Sequence, residues 1–333
     1  MKYRNLGKSG LKVSALSFGT MTFGNDWNIG FGDQERANRM VDTSIDAGIN
    51  LFDTADIYSN GTSEEMLGKA IKGKRQDLII ATKVLGQMSD DVNDKGLSRF
   101  HIMNSLENSL RRLGTDYIDL YQLHGFDPST PLEETLQALD DLVRQGKVRY
   151  IGMSNHAAWQ ISKGLGISAL NGWTKYTSAQ MHYSLINRDL EHEVIPLAED
   201  AGIGILVWSP LNGGYLTGKY RDGKLKDEDR FAGSGLKDFP PVPDKEVADK
   251  IVDTLIEIGA NHDAGPAETA LAWLTERPGI SSVLVGSRKM EQLESNLKAA
   301  DIELSNDETD ALNEVSKPRV PYPQWMLAVQ QGL

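Results

Sequence analysis

The sequence predicts an α/β fold, a (β/α)8 barrel, on three observations. Short apolar runs alternate with helical patterns at roughly thirty-residue spacing over most of the chain, as eight strand–helix units require. No glycine-rich fingerprint follows the first strand, which disfavours a doubly wound open sheet. No linker or charge run divides the 333 residues, so 1–333 reads as a single domain.

The elements follow in order. KYRNL and LKVSA flank GKSG and predict an N-terminal hairpin. ALSFG at 15–19 is the first barrel strand, 34–46 a helix, INLFD the second strand and 63–71 a helix. DLIIATK is strand three. Residues 98–113 form an amphipathic helix with Ile102, Leu106, Leu110 and Leu113 on one face. YIDLYQLH alternates cleanly as strand four, and 131–145 is helical with its proline in the first turn. VRYIGMS, TSAQM and GILVWS are strands five to seven, with helices at 157–165 and 194–201. A loop from 210 to about 243 follows, long enough to be functional. Helices at 244–261 and 266–276, strand eight (ISSVLVG), a helix at 290–299 and an extra helix at 306–315 complete the pattern. The tail, KPRVPYPQWMLAVQQGL, carries three prolines and a tryptophan.

Composition narrows the function. Hydrophobic residues make up 40% of the chain and the net charge is −12, which argues against a general nucleic-acid or anionic-membrane binder. There are no cysteines, so thiolate catalysis and cysteine-ligated metals are excluded. MKYRNLGKSG has no apolar run and nothing approaches a membrane span, so the expected address is the cytoplasm. Two motif matches are decoys. GLGISA at 164–169 follows a helix rather than a strand. GGYLTGKY at 213–220 has Tyr220 where a P-loop needs Ser or Thr, though Gly218 and Lys219 remain phosphate-contact candidates.

Four polar residues lie at or just past strand ends: Asp53 and Tyr58 after strand two, Lys83 at strand three and His124 at strand four. Each alone reads more readily as a turn cap, an exposed aromatic, a solvated charge or a core histidine. Together they converge on the barrel face that hosts chemistry. A lysine beside a tyrosine lowers the phenol's pKa and makes it a usable acid toward a carbonyl oxygen.

GINLFDTADIYSNGTSEEMLGKAI, LIIATKV and YIDLYQLH resemble the signatures of the aldo-keto reductase superfamily. SFGTMTFG, IGMSN, AQMHYSLI, WSPLNGGYLTGKY and VLVGSRKMEQLESN follow in that family's order. The match runs nearly end to end, and the WSPL…GGYLTGKY form is closest to the bacterial and potassium-channel-β-like branches. The resemblance implies Tyr58 as general acid/base, Lys83 depressing its pKa, Asp53 holding Lys83, and His124 orienting the carbonyl. It implies a nicotinamide cofactor, with Gly19 and Thr20 beneath the ribose and Asp53 also in the cofactor set. Ser154, Asn155 and Gln180 would hold the carboxamide. Trp208 would stack on the ring, although as a residue alone it reads as a core aromatic.

Ser209, Pro210, Leu211, Asn212, Gly213 and Lys219 would follow the pyrophosphate, with Arg230 closing over it. Gly286, Ser287 and Arg288 would offer a helix start to phosphate. Arg288 can pair a 2′-phosphate bidentately, which favours NADP(H), with NAD(H) as the alternative. Gln292 and Asn296 would contact adenine; Ser295 departs from the family, which often has Glu there. Substrate would meet Met21, Phe23, Trp27, Tyr58, His124, Phe126, the 85–96 loop, and the tail near Tyr322 and Trp325. Trp325 serves equally well as a rim anchor.

The leading expectation is therefore an NADP(H)-dependent carbonyl reductase or alcohol dehydrogenase with a small-molecule carbonyl or alcohol substrate. A cofactor-binding regulatory or partner-binding protein with slow turnover is the alternative. A Schiff-base role for Lys83 is disfavoured because Asp53 would keep it charged. A metal hydrolase is disfavoured because the six histidines show no paired ligand spacing. Substrate identity, reaction direction and oligomeric state are not legible in the sequence.

Overall fold

The computed structural model describes residues 1–25, 28–220 and 239–332. Eight parallel strands close a barrel: β3 (Leu16–Gly19), β4 (Leu51–Asp53), β5 (Ile79–Val84), β6 (Ile118–Leu123), β7 (Val148–Ser154), β8 (Ser178–His182), β9 (Gly204–Trp208) and β10 (Ile280–Val285). The ring closes where β10 pairs with both β3 and β9. Strands covered by helices on one side and by the barrel interior on the other are buried throughout, as β5 and β10 are.

The predicted hairpin, β1 (Tyr3–Asn5) and β2 (Lys12–Ser14), is antiparallel and stops the N-terminal mouth. Its Leu6 and Val13 pack with Leu51, Ala81, Leu120, Leu206 and Leu284 of the strands. Gly7 makes this approach feasible: its φ is +58°, and a Cβ there would lie 2.3 Å from the Gly202 carbonyl oxygen.

A larger apolar cluster fills the space between strands and helices. The helices are α1 (Gln34–Asp46), α2 (Thr62–Ala70), α3 (Arg99–Leu113), α4 (Leu132–Arg144), α5 (Ala158–Asn171), α6 (Val194–Ala201), α7 (Lys245–Ala260), α8 (Pro266–Thr275), α9 (Met290–Leu297), α10 (Asn306–Val315) and α11 (Gln324–Gln331). Several start where capping chemistry puts them. Asp33, Ser98 and Asp244 accept backbone N–H bonds from the first turns of α1, α3 and α7. Ser305 and Glu308 form a capping box on α10.

Two segments differ from the sequence reading. Helix α5 runs past residue 165 to Asn171, through Gly164 and Gly166, so the GLGISA string is helix interior. Gly164 is required there because a Cβ would sit 2.9 Å from the Tyr176 ring. The tail, to which the sequence reading assigns no element, carries a helix: beyond Pro323 no proline interrupts QWMLAVQQ, whose good helix formers make α11. The loop after β9 opens with a 3-10 turn at Asn212–Thr217. Among the described residues no helix is long and apolar enough to cross a membrane.

Candidate active site

Strand ends carry the predicted tetrad to one place. Asp53 is the last residue of β4, Lys83 is next to last in β5, and His124 follows β6. Tyr58 opens a 3-10 turn at Tyr58–Gly61 in which Ser59 and Asn60 take positive φ. Lys83 is fully buried, and each of its ammonium hydrogens has an acceptor. These are Asp53 Oδ1 at 2.5 Å, the Thr54 carbonyl at 2.7 Å and the Tyr58 hydroxyl at 3.3 Å. Burial alone would push the ammonium's pKa down, but Asp53 and Tyr58 outweigh it, and the pKa lies above its ordinary value. Burial, aided by the Lys83 charge, pushes His124 down to about 3, so its imidazole is neutral. Its ring meets Tyr58 edge-on, with centroids 5.6 Å apart.

Behind the tetrad lie groups that strand-end reasoning passes over. Gln122 of β6 and Gln180 of β8 both donate to Asp53 Oδ2, at 3.0 and 2.7 Å. The signal for Gln122 was a polar residue at an inward position in an apolar strand. Asp56 is buried with Oδ1 on the Ile57 N–H and, among the described residues, Oδ2 without a hydrogen-bond partner. Burial, with Glu64 nearby, pushes its carboxyl up to about 8. Glu64 itself is paired with Arg112 and accepts from Thr82.

The tetrad opens into a cleft of ≈ 400 Å³ at the C-terminal mouth of the barrel. Gly19, Met21, Asp53, Tyr58, His124, Ser154, Asn155 and Gln180 line one part of it. Trp208, Ser209, Pro210, Leu211, Gly213, Lys219, Gly286, Arg288, Gln292 and Asn296 line the rest. Thr22, Ile57, Gly214, Thr217, Phe239 and Pro240 join this wall unforeseen, over a floor that includes Leu271, Leu284 and Val285. Phe239 stacks on Trp208 at 5.7 Å and 14°. Asn155, at φ 56°, accepts from the Trp208 indole at 3.0 Å and donates to the His124 carbonyl at 3.1 Å, tying ring to tetrad.

Other predicted residues stand off the cleft. Lys83 lies behind Tyr58. The Thr20 side chain turns to Ser63 and the Asp53 carbonyl. Asn212 is buried and accepts from Asn187, while Ser287 is buried and its carbonyl accepts from Thr22. Phe23, expected to face substrate, is in the core against Phe18 and Phe31, because the chain after β3 turns inward at the Thr20–Phe23 hydrogen bond. Phe126 and much of the 85–96 loop line a separate hollow of ≈ 480 Å³, where Phe126 meets His156 and Trp159 edge-on. Trp325 packs on Tyr322 within the tail, half-exposed, and does not line the cleft. The helix start at 286–288 is less open than expected, since Gln292 Oε1 caps the N–H groups of Arg288 and Lys289. Ser295 donates to Glu268. Trp27 and Arg230 lie outside the described residues.

The donor set suits an elongated anion carrying an aromatic ring. Among the described residues Asp53 is the sole carboxylate on the wall, already paired with Lys83, while Lys219 and Arg288 supply positive charge in a chain of net charge −12. Side-chain amides and a tryptophan face complete the lining.

Comparison with known proteins gives similarity along most of the chain. The model of the aldo/keto reductase family matches residues 15–317. A probable voltage-gated potassium channel subunit beta of Arabidopsis thaliana is 37% identical over 310 residues, 91% of this chain and 92% of that protein. The uncharacterized oxidoreductase YrpG of Bacillus subtilis is 38% identical, covering 95% and 96%. Versiconal hemiacetal acetate reductase of Aspergillus parasiticus is 33% identical, covering 97% and 99%. With the barrel, the match over 15–317 and relatives aligned along nearly their whole length, the chain belongs to the aldo/keto reductase family.

Proposed function

We propose that this chain is an NADP(H)-dependent oxidoreductase interconverting an aldehyde or ketone and its alcohol, with Tyr58 as general acid/base assisted by Lys83, Asp53 and His124. Family membership supplies the coarser statement, an NAD(P)-dependent carbonyl oxidoreductase acting on a small molecule. The observation that carries the finer one is the hydrogen-bonded chain Asp53–Lys83–Tyr58, buried at its root and opening beside His124 into the cleft.

The cofactor, when bound, supplies or accepts the hydride. The chain's own residues handle the proton. In reduction, the Tyr58 hydroxyl gives its proton to the developing alkoxide. The Lys83 ammonium 3.3 Å away stabilises the phenolate left behind. Asp53 and the Thr54 carbonyl hold that ammonium in place. His124, neutral across the physiological range, is suited to hydrogen-bond the carbonyl oxygen without competing for its proton. In alcohol oxidation the same phenolate is the base.

Trp208, Ser154, Asn155 and Gln180 would flank the nicotinamide, and Lys219 and Arg288 the phosphates. The preference for NADP(H) rests on Arg288, whose guanidinium matches a phosphate in charge and geometry. The single-domain reading is part of the same proposal: the closed barrel draws on β3 near one end of the chain and β10 near the other.

Fluorescence titration with NADPH, followed by a panel of aldehydes, tests the proposal, with Tyr58→Phe as control. Turnover that disappears in the variant is the expected result. Turnover that survives in the variant removes Tyr58 from the role. Tight binding without turnover on any carbonyl or alcohol would favour the second reading, a cofactor-binding regulatory protein, which the potassium-channel β-subunit relatives support.

A further inference from the structure

Gln122 has the burial and reach of a functional group yet does not itself line the cleft. It is fully buried in β6, where its Cα partners are Lys83 of β5 and Gly152 of β7. Its side chain crosses the barrel interior to Asp53 of β4, two strands away in the ring. Gly152 leaves the room for this: a Cβ there would sit 3.2 Å from Gln122 Cγ and 2.5 Å from Ser178 Oγ. The amide's orientation is fixed by chemistry, because the reverse would set its oxygen against a carboxylate. With Nε2 on Asp53, Oε1 faces Gln180 Nε2 at 3.5 Å.

Asp53 therefore divides its acceptors. Oδ1 takes Lys83, and Oδ2 takes two neutral amide donors. Each amide bond draws negative charge toward Oδ2 and away from the ion pair. We propose that Gln122 is a positioning residue for the proton transfer assigned above to Tyr58: its bond to Asp53 Oδ2 weakens that carboxylate's hold on Lys83 and leaves more of the ammonium's field on the Tyr58 hydroxyl. Gln180 makes the same bond but also lines the cleft, so a change there acts on ligand as well as on Asp53. Gln122 does not itself line the cleft and reaches Gln180 only through the longer contact of its Oε1, so its main effect is on Asp53.

Other charges around Tyr58 are accounted for. Lys83 faces it from β5, Asp53 from β4 and neutral His124 from the end of β6. Asp56 lies on its own segment, with the Glu64–Arg112 pair of α2 and α3 beyond. None of these touches Gln122 except Asp53, so Asp53 is the route by which Gln122 acts.

The test is an ultraviolet difference titration of the Tyr58 phenolate in the cofactor-free protein, with Tyr58→Phe as blank, on wild type, Gln122→Met and Gln122→Asn. Gln122→Met keeps the length without the amide. Gln122→Asn keeps a polar side chain and withdraws the amide from Asp53, serving where the methionine variant does not fold. The expected result is a midpoint raised by roughly half to one pH unit in either variant. The pH profile of turnover should move by the same amount. A midpoint that stays in place or falls overturns the proposal and leaves Gln122 a packing residue. This failure is distinct from that of the Tyr58 assignment, which falls only if Tyr58→Phe turns over, whatever the Gln122 variants do.

Discussion

The two ends of this barrel use the same inward-facing positions for opposite purposes. Near the N-terminal mouth the interior holds Leu51, Ala81, Leu120 and Leu206, sealed by Leu6 and Val13 of the hairpin. Two residues further along the same strands stand Asp53, Lys83, Gln122 and Trp208. A strand's side chains alternate, so a step of two returns to the same face one layer higher. One layer is apolar and closed. The next is polar and opens to the cleft, and each charge and amide in it has a named partner. Much of the backbone strain lies at the polar end: Ser59, Asn60, Asn155, Ser209 and Asn212 take positive φ in the loops that leave β4, β7 and β9, while Asp263 takes it in the turn between α7 and α8. The lower layer holds the barrel together, and the upper layer spends conformational freedom on aiming groups.

The sharpest test of this division is a pair of changes, one from each end. Tyr58→Phe should lower turnover by about 10²–10⁴-fold, the usual reach of a positioned acid/base, with melting temperature and NADPH binding close to wild type. Leu120→Ala, two residues before Gln122, should do the reverse. Removing a fully buried leucine typically destabilises by about 2–5 kcal/mol, read as a lower denaturation midpoint. Turnover per folded molecule and its pH profile should hold. Leu120→Ala with a displaced pH profile would mean that the layers are mechanically coupled and the comparison is wrong.

What was legible in the sequence follows the same line. The barrel could be read because strand burial leaves apolar runs, and strand ends could be counted from them. Asp53, Tyr58, Lys83 and His124 could be read because each stands at or just past the end of such a run, where chemistry is expected. Phe23 could not: only the turn back from Thr20 into the core decides whether that aromatic faces Phe18 or the cleft. Phe239 was equally hidden, since its stacking on Trp208 depends on where a loop far along the chain returns. Gln122 was visible as an odd polar residue, but its partner lies two strands away and 69 positions earlier, a relation only the closed ring creates. Helix α11 was masked by the prolines just before it.

Asp56 sharpens the comparison from within the polar end, as a group there that works against stability. Its folded carboxyl keeps its proton up to about 8, whereas the ordinary value is 3.8. Across that window the unfolded chain has released the proton and the folded chain has not, so this residue's contribution to stability declines as pH rises. Asp56→Asn removes the dependence while keeping the shape. The variant should gain a few kcal/mol over wild type by pH 8 and little at pH 4, read by paired denaturation curves. A gain that is constant with pH would show that Asp56 ionises freely in the fold.

Arg288 is the smallest of these effects and lies outside both layers, on the cleft wall just before α9. Arg288→Gln removes charge without touching the barrel interior, so neither stability nor the pH profile should move. A charge-assisted contact to a 2′-phosphate is worth about 1.5–3 kcal/mol, so NADPH should bind at least tenfold more weakly while NADH changes little. The helix start itself should persist, since Gln292 Oε1 caps backbone N–H groups there that the substitution leaves in place. Equal losses for the two cofactors would place Arg288 on the pyrophosphate they share and remove the ground for preferring NADP(H). A loss of turnover at saturating NADPH would carry the polar layer's influence out to the rim, because Arg288 would then affect the proton site as well as the anion.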